Sequence, residues 1–152
     1  MVITSVEPHL LSCPLPHPVC YDFYGGRRTV FKRDAMVVVL REEGGMVGYG
    51  PAAASEETAK LIDREIAPLL LGNADTNPKD FVRQSVLRLG SKALAAAGAV
   101  EVALYDLWGK LEGCSVTDFL GGRQQNTACC YGSAGMYQSA ESYAEEAAAV
   151  CE

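Results

Sequence analysis

Six cysteines stand at positions 13, 20, 114, 129, 130 and 151, with histidines only at 9 and 17. No two cysteines form a Cys-x-x-Cys pair, so the ligand spacing of a zinc finger is absent. Cys13 and His17, in CPLPH, are the one thiol and imidazole close enough in sequence to suggest a nucleophile and its base, because a thiolate needs a nearby imidazole or positive charge to form. Two prolines constrain the segment between them, and a cysteine more often serves as a small buried hydrophobe. Asp106 and Lys110 stand four residues apart, the spacing of an exposed helical ion pair worth about 0.3–0.5 kcal/mol rather than of an acid and a base. Arg27, Arg28, Lys32 and Arg33 form the one basic cluster. Their alternation suits a solvated strand edge that discourages aggregation better than it suits an anion site. The carboxylates are scattered along helix surfaces instead of converging, so no metal ligand and no catalytic residue is assigned.

These residues sit in a chain of 152, of which 49% are apolar, 21% charged and 8% aromatic. That is the usage of an ordinary globular domain. A chain this long buries about 68–70% of its unfolded surface and needs no disulfide or metal to hold a core. The net charge of −6 repels a phosphate backbone or an anionic membrane, so neither nucleic acid nor membrane is an expected partner. The apolar run from Ala35 to Leu40 is far below the roughly 18 residues of a membrane span. The N-terminal MVITSVEPHLL has no basic region or small-residue cleavage site, so a cytoplasmic location with reduced thiols is expected.

Residues 1–7 alternate with the period of a half-buried strand. The following PHLLSCPLPHPVCYDFYGG carries four of the seven prolines and is expected to be a long ordered loop, because proline removes ladder donors. Arg27 to Arg41 resumes as a strand, and Glu43-Gly44-Gly45 turns it back into MVGYG. Ser55 caps a helix running to about Leu71, with Pro68 distorting its end. Pro78 opens a second helix that Gly90 closes, and a third runs from Ser91 to Gly113. After Gly121-Gly122, NTACCYGS reads as a short strand and Ser139 starts a further helix. The chain then stops without a helix-ending signal, and this final strand and helix look like the first unit of a βα repeat.

The order of these elements, with GMVGYG, IAPLLLG, AGAVEVALYDLWGKLEG, FLGG and CYGSAGMY, resembles the mandelate racemase/muconate lactonizing enzyme family of the enolase superfamily. ALYDLWGK followed by FLGG and a Tyr-x-Ser strand end is the most specific part, whereas GYG alone is weak. The resemblance implies an α+β fold: a three-stranded antiparallel meander packed on a three-helix bundle over residues 1–122, as the superfamily's capping domain. Residues 123–152 would be the first strand and helix of a truncated TIM-type barrel, which normally takes about 250 residues.

In that superfamily a Lys or His base removes the proton α to a carboxylate while Mg²⁺ stabilises the enediolate. The resemblance therefore implies the N-terminal part of an acid-sugar dehydratase or racemase, with Mg²⁺ as the cofactor of the full-length enzyme and no ligand to it from this chain. A small carboxylate or acid sugar is the implied substrate, and a homo-oligomer the implied assembly. The segments 17–24 and 51–55 resemble the two loops that close over substrate. They nominate His17, Cys20, Tyr21, Phe23, Tyr24 and Pro51 as capping residues that exclude water. Tyr131 and Ser133 would stand at the C-terminal end of the first barrel strand as substrate contacts. Two other functions keep the same residues in view: a stand-alone interaction or oligomerisation module, and a small cysteine enzyme built on Cys13 and His17.

Overall fold

The computed structural model describes residues 1–73, 77–131 and 139–151. Three strands open the chain: β1 (Ile3–Phe23), β2 (Gly26–Glu42) and β3 (Val47–Ala52), in the sheet order β1-β2-β3. Helices follow as α1 (Glu56–Leu61), α2 (Ala67–Leu70), α3 (Pro78–Leu89), α4 (Leu94–Glu112), α5 (Val116–Phe119) and α6 (Ala140–Cys151). The chain divides into two compact units. One holds Met1–Ser12 with Asp34–Gly122, and the other holds Cys13–Arg33 with Arg123–Glu152.

The first unit is built on the alternation of MVVVL. Met36, Val38 and Leu40 are fully buried on one face of β2, joined by Ile3 and Val6 of β1. Against them lie Ile62, Ile66 and Leu70, and the α4 residues Ala96, Val100, Leu104 and Leu107, all within one apolar core. β2 and β3 pair antiparallel, with Val39 opposite Tyr49 and Val37 opposite Pro51. β3 packs closely on α4, and its glycines explain how. A Cβ on Gly48 would collide with the Ala103 carbonyl, and one on Gly50 with the Ala99 carbonyl. GYG is thus a close-approach device, in which two alternate side chains are deleted so that a helix can rest on the strand.

The expected loop over residues 8–26 is instead the outer length of β1. Thr4 Oγ1 donates to the Arg41 carbonyl and Ser12 Oγ to Asp34, while Cys20 Sγ lies 3.3 Å from Thr29 Oγ1, the pairing of a long antiparallel hairpin. Proline does not prevent it because Pro14, Pro16 and Pro18 occupy one phase of the strand. Their missing donors fall on a single edge, and β1 is a terminal strand with one edge facing away from β2.

The helix from Ser55 begins as expected, with Ser55 Oγ accepting the Thr58 N–H. It does not run unbroken to Leu71. Residues Ile62–Ile66 widen into a π-helical turn, in which Ala67 N–H reaches back to the Ile62 carbonyl. Pro68 would clash with a carbonyl in a regular α-turn, and the wider turn directly before it relieves that conflict. α3 is capped by Asn77, and α4 ends at Gly113 with φ of 65°. α5 was not foreseen. Its signature is a capping box, Ser115 with Asp118 three residues on.

In the second unit, Ser139 Oγ accepts the Ser142 N–H at the start of α6. The expected strand in NTACCYGS is absent as far as it is described: Thr127–Tyr131 is irregular and exposed. A strand needs a neighbour to take its backbone groups, and the three-stranded sheet holds only β1, β2 and β3. Among the described residues no helix is long and apolar enough to cross a membrane.

Candidate functional site

The two stretches that make the sequence distinctive, ALYDLWGK and FLGG, are devoted to holding the first unit together. Tyr49 donates its backbone N–H to Asp106 Oδ2 at 2.8 Å, and Lys110 Nζ donates to the Val47 carbonyl at 2.9 Å and to Asp106 Oδ2 at 2.6 Å. Lys110 also lies 4.8 Å from the centre of the Tyr49 ring. The pair is therefore more than an isolated i,i+4 bridge, because it occupies the outward N–H and C=O of the edge strand β3. Trp108 stacks on Phe119 with ring centres 5.2 Å apart, which seats α5 on α4. Gly109, Gly121 and Gly122 complete that corner. A Cβ on Gly109 would press on the Cys114 carbonyl, and the other two have φ of 105° and 84°.

Four of the six proposed capping residues have described side chains on the outer hairpin of the second unit. β1 brings His17, Cys20 and Tyr21 toward a two-residue turn, Tyr24-Gly25, from which β2 departs at Gly26 with φ of 107°. Tyr24 is fully exposed at that turn, Tyr21 is half-buried, and His17 and Cys20 are exposed. An ion pair between Asp22 and Arg27, 3.9 Å apart, spans the same end. Phe23 is the last residue of β1. Pro51 is an exposed residue of β3 in the first unit, not part of a loop beyond it. It shares the phase of Tyr49, whose N–H points away from β2, so the donor it lacks is one the ladder does not use. Tyr131 is 89% exposed. Ser133 lies outside the described residues.

Cys13 and His17 stand four residues apart on extended chain, a span of about 13 Å. That is beyond the reach of a thiol–imidazole hydrogen bond, and the Cys13 thiol lies instead 3.8 Å from the Pro14 carbonyl. Among the described residues no three His, Cys, Asp or Glu side chains gather closely enough to hold a metal. The described carboxylates therefore do not converge into the octahedral oxygen shell that Mg²⁺ takes.

Sequence reasoning missed two polar features of the first unit. Glu42 is buried at the end of β2 and accepts the N–H groups of Gly44 and Met46 at 2.7 and 2.8 Å, which lowers its pKa. An acid two residues before Gly44-Gly45 could have signalled this turn clasp. Glu101 and Tyr105 on α4 both have raised pKa values, chiefly from burial.

The α+β fold and its motif positions define a class of domain, and comparison with known proteins identifies the family. Residues 18–121 match the family model for the mandelate racemase / muconate lactonizing enzyme N-terminal domain, and the chain belongs to this family. It is 32% identical over 113 residues to a D-galactonate dehydratase family member of Paenibacillus sp. (strain JDR-2), covering 70% of this chain and 28% of that protein. It is 30% identical over 140 residues to the L-rhamnonate dehydratase of Saccharopolyspora erythraea, covering 86% and 36%. The crystal structure of an enolase-superfamily member from Polaromonas sp. JS666 superposes with a TM-score of 0.71 at 30% identity, over 98% of this chain and 41% of that one. The chain thus spans about a third of the length of these curated relatives.

Proposed function

We propose that this chain forms the substrate-capping part of an enolase-superfamily enzyme of acid-sugar dehydratase or racemase type, which abstracts a proton α to a carboxylate with Mg²⁺ assistance. The observation that carries this reading is the family match from residue 18 to residue 121. It begins in the outer hairpin and runs through the β3–α4 clasp. In this proposal residues 1–122 are the capping domain and 123–152 begin the catalytic barrel. Dehydratases of D-galactonate type and of L-rhamnonate among the relatives favour a sugar acid as substrate.

The proposed work of this chain is exclusion of water and selection of substrate. A hairpin turn carrying Tyr24, with Tyr21 two residues inside the strand, presents aromatic surface on a scaffold stiffened by two paired strands. Closing such a surface over a reacting carboxylate removes bulk water and strengthens every charge interaction beneath it. His17, Cys20, Phe23 and Pro51 are proposed to share that role, and Tyr131 and Ser133 to contact substrate. The working protein is proposed to be a homo-oligomer in the cytoplasm.

The test uses the translated product of the complete reading frame, assayed on a panel of aldonates by formation of the 2-keto-3-deoxy acid and by C2 epimerisation. Turnover of at least one acid, with KM raised about tenfold or more in Tyr24→Ala, is the expected result, since lost capping contacts weaken substrate binding. Turnover that is absent from the whole panel, or kinetics unchanged in both Tyr24→Ala and Tyr21→Ala, overturns the reading.

A further inference from the structure

A cavity of about 130 Å³ opens in the first unit beside α3, lined by Asn73, Asn77, Gln84, Ser85 and Arg88 together with Phe81. Positions 77, 81, 84, 85 and 88 share one helical face, the face that buries Phe81 in the core. Ser85 on that face is 1% exposed, and its hydroxyl has no hydrogen-bond partner among the described residues. A buried hydroxyl without a partner is costly, and a serine within a helix usually escapes the cost by turning to the carbonyl four residues back. Ser85 does not do so, and it lines the cavity instead.

Apart from Leu69 and Phe81, the other described lining groups are polar. Among the described residues Arg88 makes no ion pair and no carboxylate lines the cavity. Asn77 Oδ1 is occupied by the Lys79 N–H at 3.0 Å, which leaves the NH₂ end of its amide as the free one. A guanidinium, a hydroxyl and carboxamides make a donor-rich wall with one positive charge, in a protein whose net charge is −6. The volume is close to that of cavities known to hold a molecule of about six heavy atoms.

We propose that this cavity binds a small oxyanion, either a carboxylate or inorganic phosphate, on the Arg88 guanidinium with the Ser85 hydroxyl and the neighbouring carboxamides donating alongside. Arginine suits the task because its planar fork matches either anion with two parallel hydrogen bonds. The proposal is independent of the capping function.

The test is thermal unfolding and amide NMR titration of the 152-residue protein with sodium phosphate, with sodium acetate, and with sodium chloride at equal ionic strength. The expected result is saturable shifts at Gln84, Ser85 and Arg88 and a rise in Tm with phosphate or acetate that chloride does not reproduce. Which anion saturates first identifies the geometry of the natural ligand. Arg88→Gln weakens that binding at least about tenfold. Ser85→Ala raises Tm without anion, because the orphan hydroxyl is gone, and lowers the anion's affinity. Shifts that fail to saturate with both anions overturn the proposal, as does Arg88→Gln binding like the wild type. Ser85→Ala with a lower Tm and unchanged affinity also overturns it.

Discussion

Tyr49 gives its backbone N–H to the carboxylate of Asp106, across 57 residues of sequence, and Lys110 reaches from one turn further along α4 to the Val47 carbonyl on the same strand. An edge strand otherwise offers a row of unpaired donors and acceptors to any passing chain. Here two side chains of one helix satisfy it, and the short Asp106–Lys110 contact holds both in place.

Removing Asp106 should therefore cost more than an exposed salt bridge does. Both side chains are about a third exposed, so solvent screens the charges. The hydrogen bond to a backbone donor remains, and Asp106→Ala is expected to destabilise by about 1–2 kcal/mol. Lys110→Met should cost less, because the Asp106–Tyr49 bond survives it. Urea unfolding with an unchanged m-value reads both, and an Asp106→Ala loss below about 0.5 kcal/mol would reduce the clasp to an ordinary surface pair.

The glycines of the strand and of the helix should behave oppositely. Gly50→Ala sets a methyl against the Ala99 carbonyl, a backbone atom that cannot rotate away, and about 3 kcal/mol or more should be lost. Gly98→Ala meets nothing within 4 Å in the interior of α4, and helix propensity should add about 0.5–1 kcal/mol. Thermal melts of the two variants should move in opposite directions. A Gly50→Ala protein as stable as the wild type would show that α4 does not rest on β3 as described.

Much of this was legible in the residues because the signals were local. Ser55, Asn77-Pro78, Gly90 and Gly113 each mark a helix end by the backbone conformation or cap they supply, and MVVVL alternates as a strand must. What escaped was whatever depended on a partner. Pro14, Pro16 and Pro18 look like strand breakers until β1 is known to be at the sheet's edge, and Thr127–Tyr131 looks like a strand although no neighbour pairs with it among the described residues. The same holds for the site. Tyr24 at a turn was readable, whereas the cavity around Ser85 exists only once Asn73 is folded against α3. Asp106 and Lys110 were seen as a pair, but their backbone partners lie about 60 residues away.

Two carboxylates should leave opposite marks on the pH dependence of stability. The N–H groups of Gly44 and Met46 lower the pKa of Glu42, so its contribution is complete above the ordinary value of 4.5 and fades as pH falls through the depressed folded value. Burial raises that of Glu101, so its contribution is complete below 4.5 and fades as pH rises through the raised folded value. Glu42→Gln should thus lose stability at pH 7 and match the wild type near pH 3, while Glu101→Gln should gain at pH 7 and show no gain near pH 3. Denaturant titrations at the two pH values test both signs, and equal effects at both would discard the electrostatic account.

The proline phase of β1 makes the sharpest demand on the fold. If Pro14, Pro16 and Pro18 tolerate their missing donors because those face away from β2, then the residues between them must carry the donors that face it. Leu15 is such a residue and is half-buried. Leu15→Pro should then remove a ladder hydrogen bond, and amides of β2 between residues 27 and 33 should lose most of their protection from hydrogen exchange. Pro16→Val changes the same stretch but restores only an outward N–H. It should leave β2 protection intact while raising the tendency of the protein to self-associate through the partly restored edge, measured by sedimentation at increasing concentration. Equal loss of protection in both variants would mean that the prolines are not in phase with the open edge, and the outer hairpin would need a different pairing.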